Sequence, residues 1–193
     1  DVRGRRAGHV ASDNALGSAL AVRHLHELGH PRIAFIGGTA GTKAGDDRLL
    51  GFRQERDRLG LPERPEYLEE GDFYPPSGHA AMGRLLDLPE LPTAVAVAAD
   101  LMAAGAMQAI GERGLRVPED VAVVGFDDIQ IAPLLRPALT TVRQDKFGLG
   151  AAAADALVGL IADPEMEAPL ITLPVELVVR ESSGAGRVVP MAR

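Results

Sequence analysis

An α/β fold of parallel sheets with right-handed crossovers is predicted by two features of this sequence. Segments with helical spacing alternate along it with short, nearly continuous apolar runs, the order that βαβ units produce. The chain is also large enough to enclose such sheets. Its 193 residues, 46% apolar and 24% charged, can bury a core without metal or disulfide staples.

The elements follow in order. Asn14 to Leu28 has Leu16, Leu20, Ala21, Leu25 and Leu28 at helical spacing, and Gly29 and Pro31 stop it. Ile33 to Ile36 is a buried strand that leaves through Gly37-Gly38. A loop from Thr39 to Gly45 leads to a helix with Asp46 and Asp47 in its first turn, where acids favour the positive end of the dipole. Leu49, Phe52 and Leu59 mark its inner side, and Gly60 ends it. After the turn Pro62 to Pro65, Glu66 to Glu70 reads as a weak strand, and Ser77 as the N-cap of a helix through Leu86. Thr93 to Ala98 is a strand of small residues. Asp100 caps the next helix, with Ala103, Ala106, Met107 and Ile110 on one face and Gly114 as its stop.

Val121 to Val124 and Thr140 to Arg143 are further strands. Asp145 to Ala162 is a long helix expected to face inward through Ala151, Ala154, Leu157, Val158 and Ile161. Leu170 to Leu173 and Val175 to Val179 are strands separated by Pro174. Ser182 to Arg193 has no periodicity and reads as a frayed tail.

Composition removes several function classes. There is no cysteine, hence no disulfide, thiol catalysis or cysteine-bound metal. The net charge of −7 argues against the chain holding nucleic acid by itself, because such affinity comes mainly from phosphate neutralisation. Only Lys43 and Lys146 of the twenty basic residues are lysines. No apolar run reaches the length of about 18 residues that a membrane span needs. Asp1 to Gly8 has no apolar signal-peptide core, and no methionine opens the chain.

Parallel sheets bind ligands beyond the carboxyl ends of their strands. The residues to weigh are therefore Gly37 to Lys43, Gly71 to Tyr74, Ala99-Asp100, Gly125 to Asp128 and Gln144 to Lys146. Gly37-Gly38 fits neither phosphate-loop nor dinucleotide spacing and reads as a strand exit needing glycine conformations. His26 and His30 have i, i+4 spacing, with His24 close by, but Gly29 breaks the helix there. A cationic histidine at a helix C-terminus accounts for them better than a metal site, and no metal or cofactor is expected. Asp127-Asp128 follows a buried strand. The pair can clamp ligand hydroxyls, cap the turn or act in catalysis; adjacent side chains diverge, so one carboxylate should face the cleft and the other serve structure. Arg48, early in the helix after the Gly-rich loop, can reach a ligand with paired donors, or be one of several surface arginines. Phe73 either stacks on a flat ligand or is core.

Several ordered motifs carry a resemblance. They are Asp13-Asn14 with Gly17; His24-Leu25-x-x-Leu28-Gly29-His30-x-Arg32-Ile33-Ala34; Arg48-x-x-Gly51-Phe52; Pro92-Thr93-Ala94; and Asp100-x-x-Ala103-x-Gly105. Further along come Gly114-x-x-Val117-Pro118-Glu119-Asp120-Val121; Val124-Gly125-Phe126-Asp127-Asp128; Pro137-x-Leu139-Thr140-Thr141-Val142-x-Gln144; and Glu176 to Ser182. From about residue 9 to 183 the chain resembles the effector-binding region of the LacI/GalR family of bacterial transcriptional regulators.

The resemblance implies a type I periplasmic-binding-protein-like core of two parallel-sheet subdomains joined by crossover strands. The N-terminal subdomain is incomplete and the DNA-binding headpiece absent. The implied division is 1–44 for the rest of the N-terminal subdomain and 45–137 for the C-terminal one. Residues 138–181 return to the first subdomain, and 182–193 form the tail. The function implied is a cytoplasmic repressor's effector-binding and dimerisation core, not an enzyme. It would meet operator DNA only through the missing headpiece and no membrane at all. The ligand would be sugar-like or an anionic metabolite.

In the family's pattern Asp127 holds ligand hydroxyls, Arg48 bonds the ligand, Phe73 stacks on it, and Asp1 and Asp100 fall at ligand-facing positions. Gln144 and Lys146 complete the candidate set; Lys146 either recognises an anion or faces solvent. Ala99 stands where the family has asparagine and can neither donate nor accept through its side chain, which argues against a plain hexose. A periplasmic solute-binding protein shares the fold and is the rival reading. A hydrolase needs a paired acid/base constellation that this sequence does not offer.

Overall fold

The strands divide into two sheets. The computed structural model describes residues 8–163 and 165–185, so Asp1 and residues 186–193 lie outside the described residues. Along the chain run β1 (His9–Ser12), α1 (Asn14–Glu27), β2 (Ile33–Ile36), α2 (Lys43–Arg58), β3 (Leu68–Glu69), α3 (Pro75–Leu86) and β4 (Ala94–Val97). Then come α4 (Asp100–Glu112), β5 (Ala122–Asp127), β6 (Thr140–Gln144), α5 (Lys146–Ala162), β7 (Leu170–Leu173) and β8 (Val175–Val178).

The larger sheet has the order β3-β2-β4-β5-β6-β8. All its pairs are parallel except β6 with β8. Strands β2 and β4 are buried along their whole length, as strands covered on both faces must be. The helices pack as two pairs, α1 with α2 and α3 with α4. Both pairs meet at glycines that let backbones touch. A Cβ on Gly51 would lie 2.0 Å from the Ala15 carbonyl oxygen, and one on Gly78 would lie 2.1 Å from that of Met102. The core includes Leu25, Phe35, Phe52, Met82, Met102, Ile110 and Phe126, with the rings of Phe35 and Phe52 stacked at 4.8 Å.

The second sheet is the parallel pair β1-β7, against which α5 packs. Among the described residues, three single residues join it and α5 to the six-stranded sheet and its helices. Asp13 links β1 to α1, Asp145 links β6 to α5, and Pro174 links β7 to β8. Asp13 and Asp145 are also N-caps, accepting from the Leu16 and Gly148 amides.

Several sequence expectations need correction. The implied division after residue 44 fails, because β2 and α1 belong with the six-stranded sheet; the chain changes sheet at Asp13. Strands β6 and β8 likewise lie in that sheet and not with β1, and Pro174 separates strands of different sheets instead of interrupting one. Helix α3 starts at Pro75, because Pro75 and Pro76 are preset for its first turn. Ser77 instead stitches the preceding turn, accepting from the Asp72 amide and donating to the Tyr74 carbonyl. Helix α2 starts earlier, capped by Thr42, so Asp47 lies past the first turn and pairs with Lys43. Residues 65–67 form a 3-10 turn, leaving a strand of only two residues after it.

The expected inner face of α5 is outward. Ala151 and Ala154 are exposed, as are Leu157, Val158 and Ile161 at 59%, 65% and 71%. The tail begins later than expected. Ser182 and Ser183 are buried; Ser182 Oγ donates to the Val123 carbonyl and accepts from the Thr140 amide. Ser183 Oγ bonds His24 Nε2 and Thr140 Oγ1. Burial depresses the pKa of His24 and His30, contrary to the cationic role expected of them.

The glycine contacts make a direct prediction. Gly78→Ala forces α3 off α4 and should cost more than about 1 kcal/mol, as overpacking does. Gly83 lies in the same helix with open space where a Cβ would go. Gly83→Ala should stabilise by up to about 1 kcal/mol. Urea unfolding of both variants checks the opposite signs.

Candidate functional site

The ends of β4 and β5 and the start of α1 converge on one side chain. Arg48, in the second turn of α2, is 5% exposed. Its Nε donates to Asn14 Oδ1 at 2.8 Å, and its Nη1 donates to the Ala98 carbonyl just past β4. The guanidinium carbon lies 3.7 Å from the Phe126 ring centroid and 5.9 Å from that of Phe73. Its Nη2 lies 3.4 Å from Asp127 Oδ1. Asp127 ends β5, where the site rule for parallel sheets places a ligand.

Burial moves both members of this pair toward neutrality. It raises the Asp127 pKa against the pull of Arg48 and Lys146, and it lowers that of Arg48 against Asp127 and Asp100. Mutual attraction across 3.4 Å does not repay the desolvation of two charges. Asp127 Oδ1 accepts from Gln144 Nε2 at 2.6 Å, and its other oxygen has no partner among the described residues. The site thus offers a free carboxylate acceptor beside an incompletely paired guanidinium.

The other predicted residues fall around this pair in distinct roles. Phe73 is half-buried at φ 71°, its ring against Gly38; a Cβ there would lie 2.1 Å from the ring tip. It is therefore partly core, with its ring near the site. Lys146 is exposed and points back, donating to the carbonyls of Asp127 at 2.7 Å and Asp128 at 3.1 Å. Asp128 turns away, as the divergence of neighbouring side chains required. It accepts from Arg143 Nε and Arg180 Nη2, each at 2.6 Å. Burial pushes the pKa of Asp128 up, but these two arginines outweigh it and hold the group below its ordinary value.

Asp100 is the correction. It neither caps α4, whose N-cap is Ala99, nor faces a ligand, being fully buried. Thr141 Oγ1 donates to one carboxylate oxygen and the Ile129 amide to the other. It therefore braces the turn after Asp127 from behind. Sequence reasoning missed Asn14, Phe126 and Thr141 as parts of the site. Asn14 and Thr141 stood in the motifs that carry the resemblance, but as polar residues beside apolar elements they looked like the buried hydrogen-bonded groups that cores share.

Asp100 also carries a pH signature. Burial raises its pKa from 3.8 to about 6 against its two hydrogen bonds. Between those values the folded chain holds a proton that the unfolded chain has lost. Stability should therefore fall as pH rises from about 4 to about 6, by roughly 2 kcal/mol from this group. Asp100→Asn keeps an acceptor for the Ile129 amide and a donor for Thr141 while removing the titration. Urea unfolding at pH 4.5 and pH 7 should show this decline in the wild type and a smaller one in the variant.

Comparison with known proteins agrees with the fold. Residues 22–183 match the family described as periplasmic binding protein-like domain. The chain is 42% identical over 175 residues to the HTH-type transcriptional repressor PurR of Edwardsiella ictaluri (strain 93-146), covering 90% of this chain and 51% of that protein. It superposes on the transcriptional regulator CelR in its cellobiose complex with a TM-score of 0.88 at 39% identity, covering 92% of this chain and 54% of that one. Against the lac repressor dimer bound to operator and the anti-inducer ONPF, the TM-score is 0.83 at 36% identity, with 90% and 59% covered. The chain spans about half the length of the curated relatives it matches. It belongs to the periplasmic-binding-protein-like domains of the LacI family of transcriptional regulators.

Proposed function

We propose that this chain is the small-molecule effector-binding and dimerisation core of a cytoplasmic LacI-type repressor. The effector sits at the Arg48–Asp127 pair, between the six-stranded sheet and the β1-β7 part. The observation that carries this is the loosely paired Arg48 and Asp127, at the carboxyl edge of β5 beside Phe73, with one Asp127 oxygen lacking a partner among the described residues. Binding acts by differing in affinity for two arrangements of the two parts, and that difference shifts operator affinity in the whole protein. The role is binding: Gln144 holds the Asp127 carboxylate, and Arg143 and Arg180 hold that of Asp128. Relatives that are repressors support this reading over a transporter's solute-binding protein.

A ligand with hydroxyls or an anionic group suits a free carboxylate acceptor and a guanidinium donor. Ala99 supplies no side-chain amide, so the ligand's polar groups gather on the Asp127 side. The apolar outer face of α5, with Leu157, Val158 and Ile161, is where further sequence of a complete repressor packs. A helix apolar on all sides belongs in an interior. Operator contact needs a separate module, because a net charge of −7 does not draw phosphate.

Calorimetric titration against neutral sugars, sugar acids and purine bases tests the site. Charge-assisted hydrogen bonds contribute about 1.5–3 kcal/mol each. Arg48→Ala and Asp127→Ala should therefore each weaken the compound that binds at least about ten-fold. Asp128→Ala should act on stability instead. Unchanged affinity in both site variants would mean the ligand lies elsewhere.

A further inference from the structure

Asp127 and Asp128 are non-glycine residues with φ of 113° and 49°. That region disfavours side chains, so something outside the turn must hold it. The carboxylates are held by Gln144, Arg143 and Arg180, but those bonds act on the side chains. Lys146 Nζ holds the backbone of both residues, donating to their two carbonyls, while Asp100 takes the Ile129 amide just past them.

Its position opposes local preference. Lys146 is the first residue of α5, and a cation at a helix N-terminus faces the positive end of the dipole. A lysine there is unfavourable unless its charge is engaged elsewhere. The two carbonyls engage it, and they belong to the end of β5 in the six-stranded sheet. Helix α5 packs on β1 and β7. The Lys146 bonds therefore cross the junction between the two parts, one residue beyond the Asp145 link.

We propose that Lys146 is a positioning residue. Its ammonium, bridging the carbonyls of Asp127 and Asp128, holds the left-handed turn that presents the Asp127 carboxylate beside Arg48, and it ties that presentation to the placement of α5. This rests on the effector-site reading for its meaning, but not for its test. A ligand that shifts α5 against the six-stranded sheet lengthens these bonds and loosens the turn. A ligand that draws the parts together tightens them. Lys146 therefore acts on the ligand through Asp127 and not by direct contact with an anion.

The experiment needs no effector, so it judges Lys146 separately from the functional reading. Only two lysines exist, and Lys43 in its exposed pair with Asp47 is an internal reference. In nitrogen-15 spectra of the chain, the Lys146 ammonium should be distinct from that of Lys43 and protected from exchange. Hydrogen exchange at the Ile129 amide, which bonds Asp100 just past the turn, should accelerate about ten-fold or more in Lys146→Met. Exchange at Val95, in the middle of β4, should stay within about two-fold. Lys146→Arg should return Ile129 to within about three-fold of the wild type. Unchanged Ile129 exchange in Lys146→Met overturns the proposal. So does equal acceleration at Val95, or a Lys146→Arg chain as fast as Lys146→Met.

Discussion

A guanidinium taken out of water must be given partners, and the site is organised by the need to supply them to Arg48. Part of its donor set and its planar face are met by Asn14 at the start of α1, the Ala98 carbonyl past β4, and the Phe126 ring and Asp127 carboxylate of β5. One side chain from α2 thereby fixes the register of α1, β4 and β5 at their site-facing ends. Gly17 serves the same arrangement, because a Cβ there would lie 2.5 Å from the Phe126 ring on which Arg48 stacks.

Three carboxylates, Asp100, Asp127 and Asp128, stand close together at this edge of the sheet, and their surroundings separate them. Asp128 is gripped by two arginines and stays ionised. Asp100 is enclosed, bonded to one hydroxyl and one amide, and its pKa is pushed up to about 6. Asp127 is intermediate, with Arg48 at a loose 3.4 Å and Gln144 close. Distance from solvent and number of cationic neighbours decide the order. The carboxylate left with spare capacity is the one that faces outward.

The alternation of helices and apolar runs made the parallel sheet legible, because that period depends only on which side chains avoid water. The divergence of Asp127 from Asp128 was legible for an equally local reason: neighbours on a strand end point apart. Sheet membership was not. Whether β2 pairs with β1 or β4 depends on where the chain crosses, and nothing in Ile33 to Ile36 records it. The faces of α5 were also hidden, since a helix apolar all round has no amphipathic signal to read. Ser182 and Ser183 looked like tail because their partners, Val123, Thr140 and His24, lie far away in sequence. Asp100 sits at the helix start, as an N-terminal acid should. Its true partners come from the loop after β5 and from β6.

The three one-residue links at Asp13, Asp145 and Pro174 have a mechanical consequence. Each contributes two backbone torsions, and proline's ring removes one, leaving about five. Two of the links are further restrained because their carboxylates are tied to the first turns of α1 and α5. A joint with so few free angles does not flop. Any displacement of one part against the other is confined to a narrow arc. Little chain entropy is then at stake in choosing one position over another. A small molecule lodged near the pivot has long lever arms on either side, and a shift of a fraction of an ångström there becomes a much larger displacement at the far surfaces.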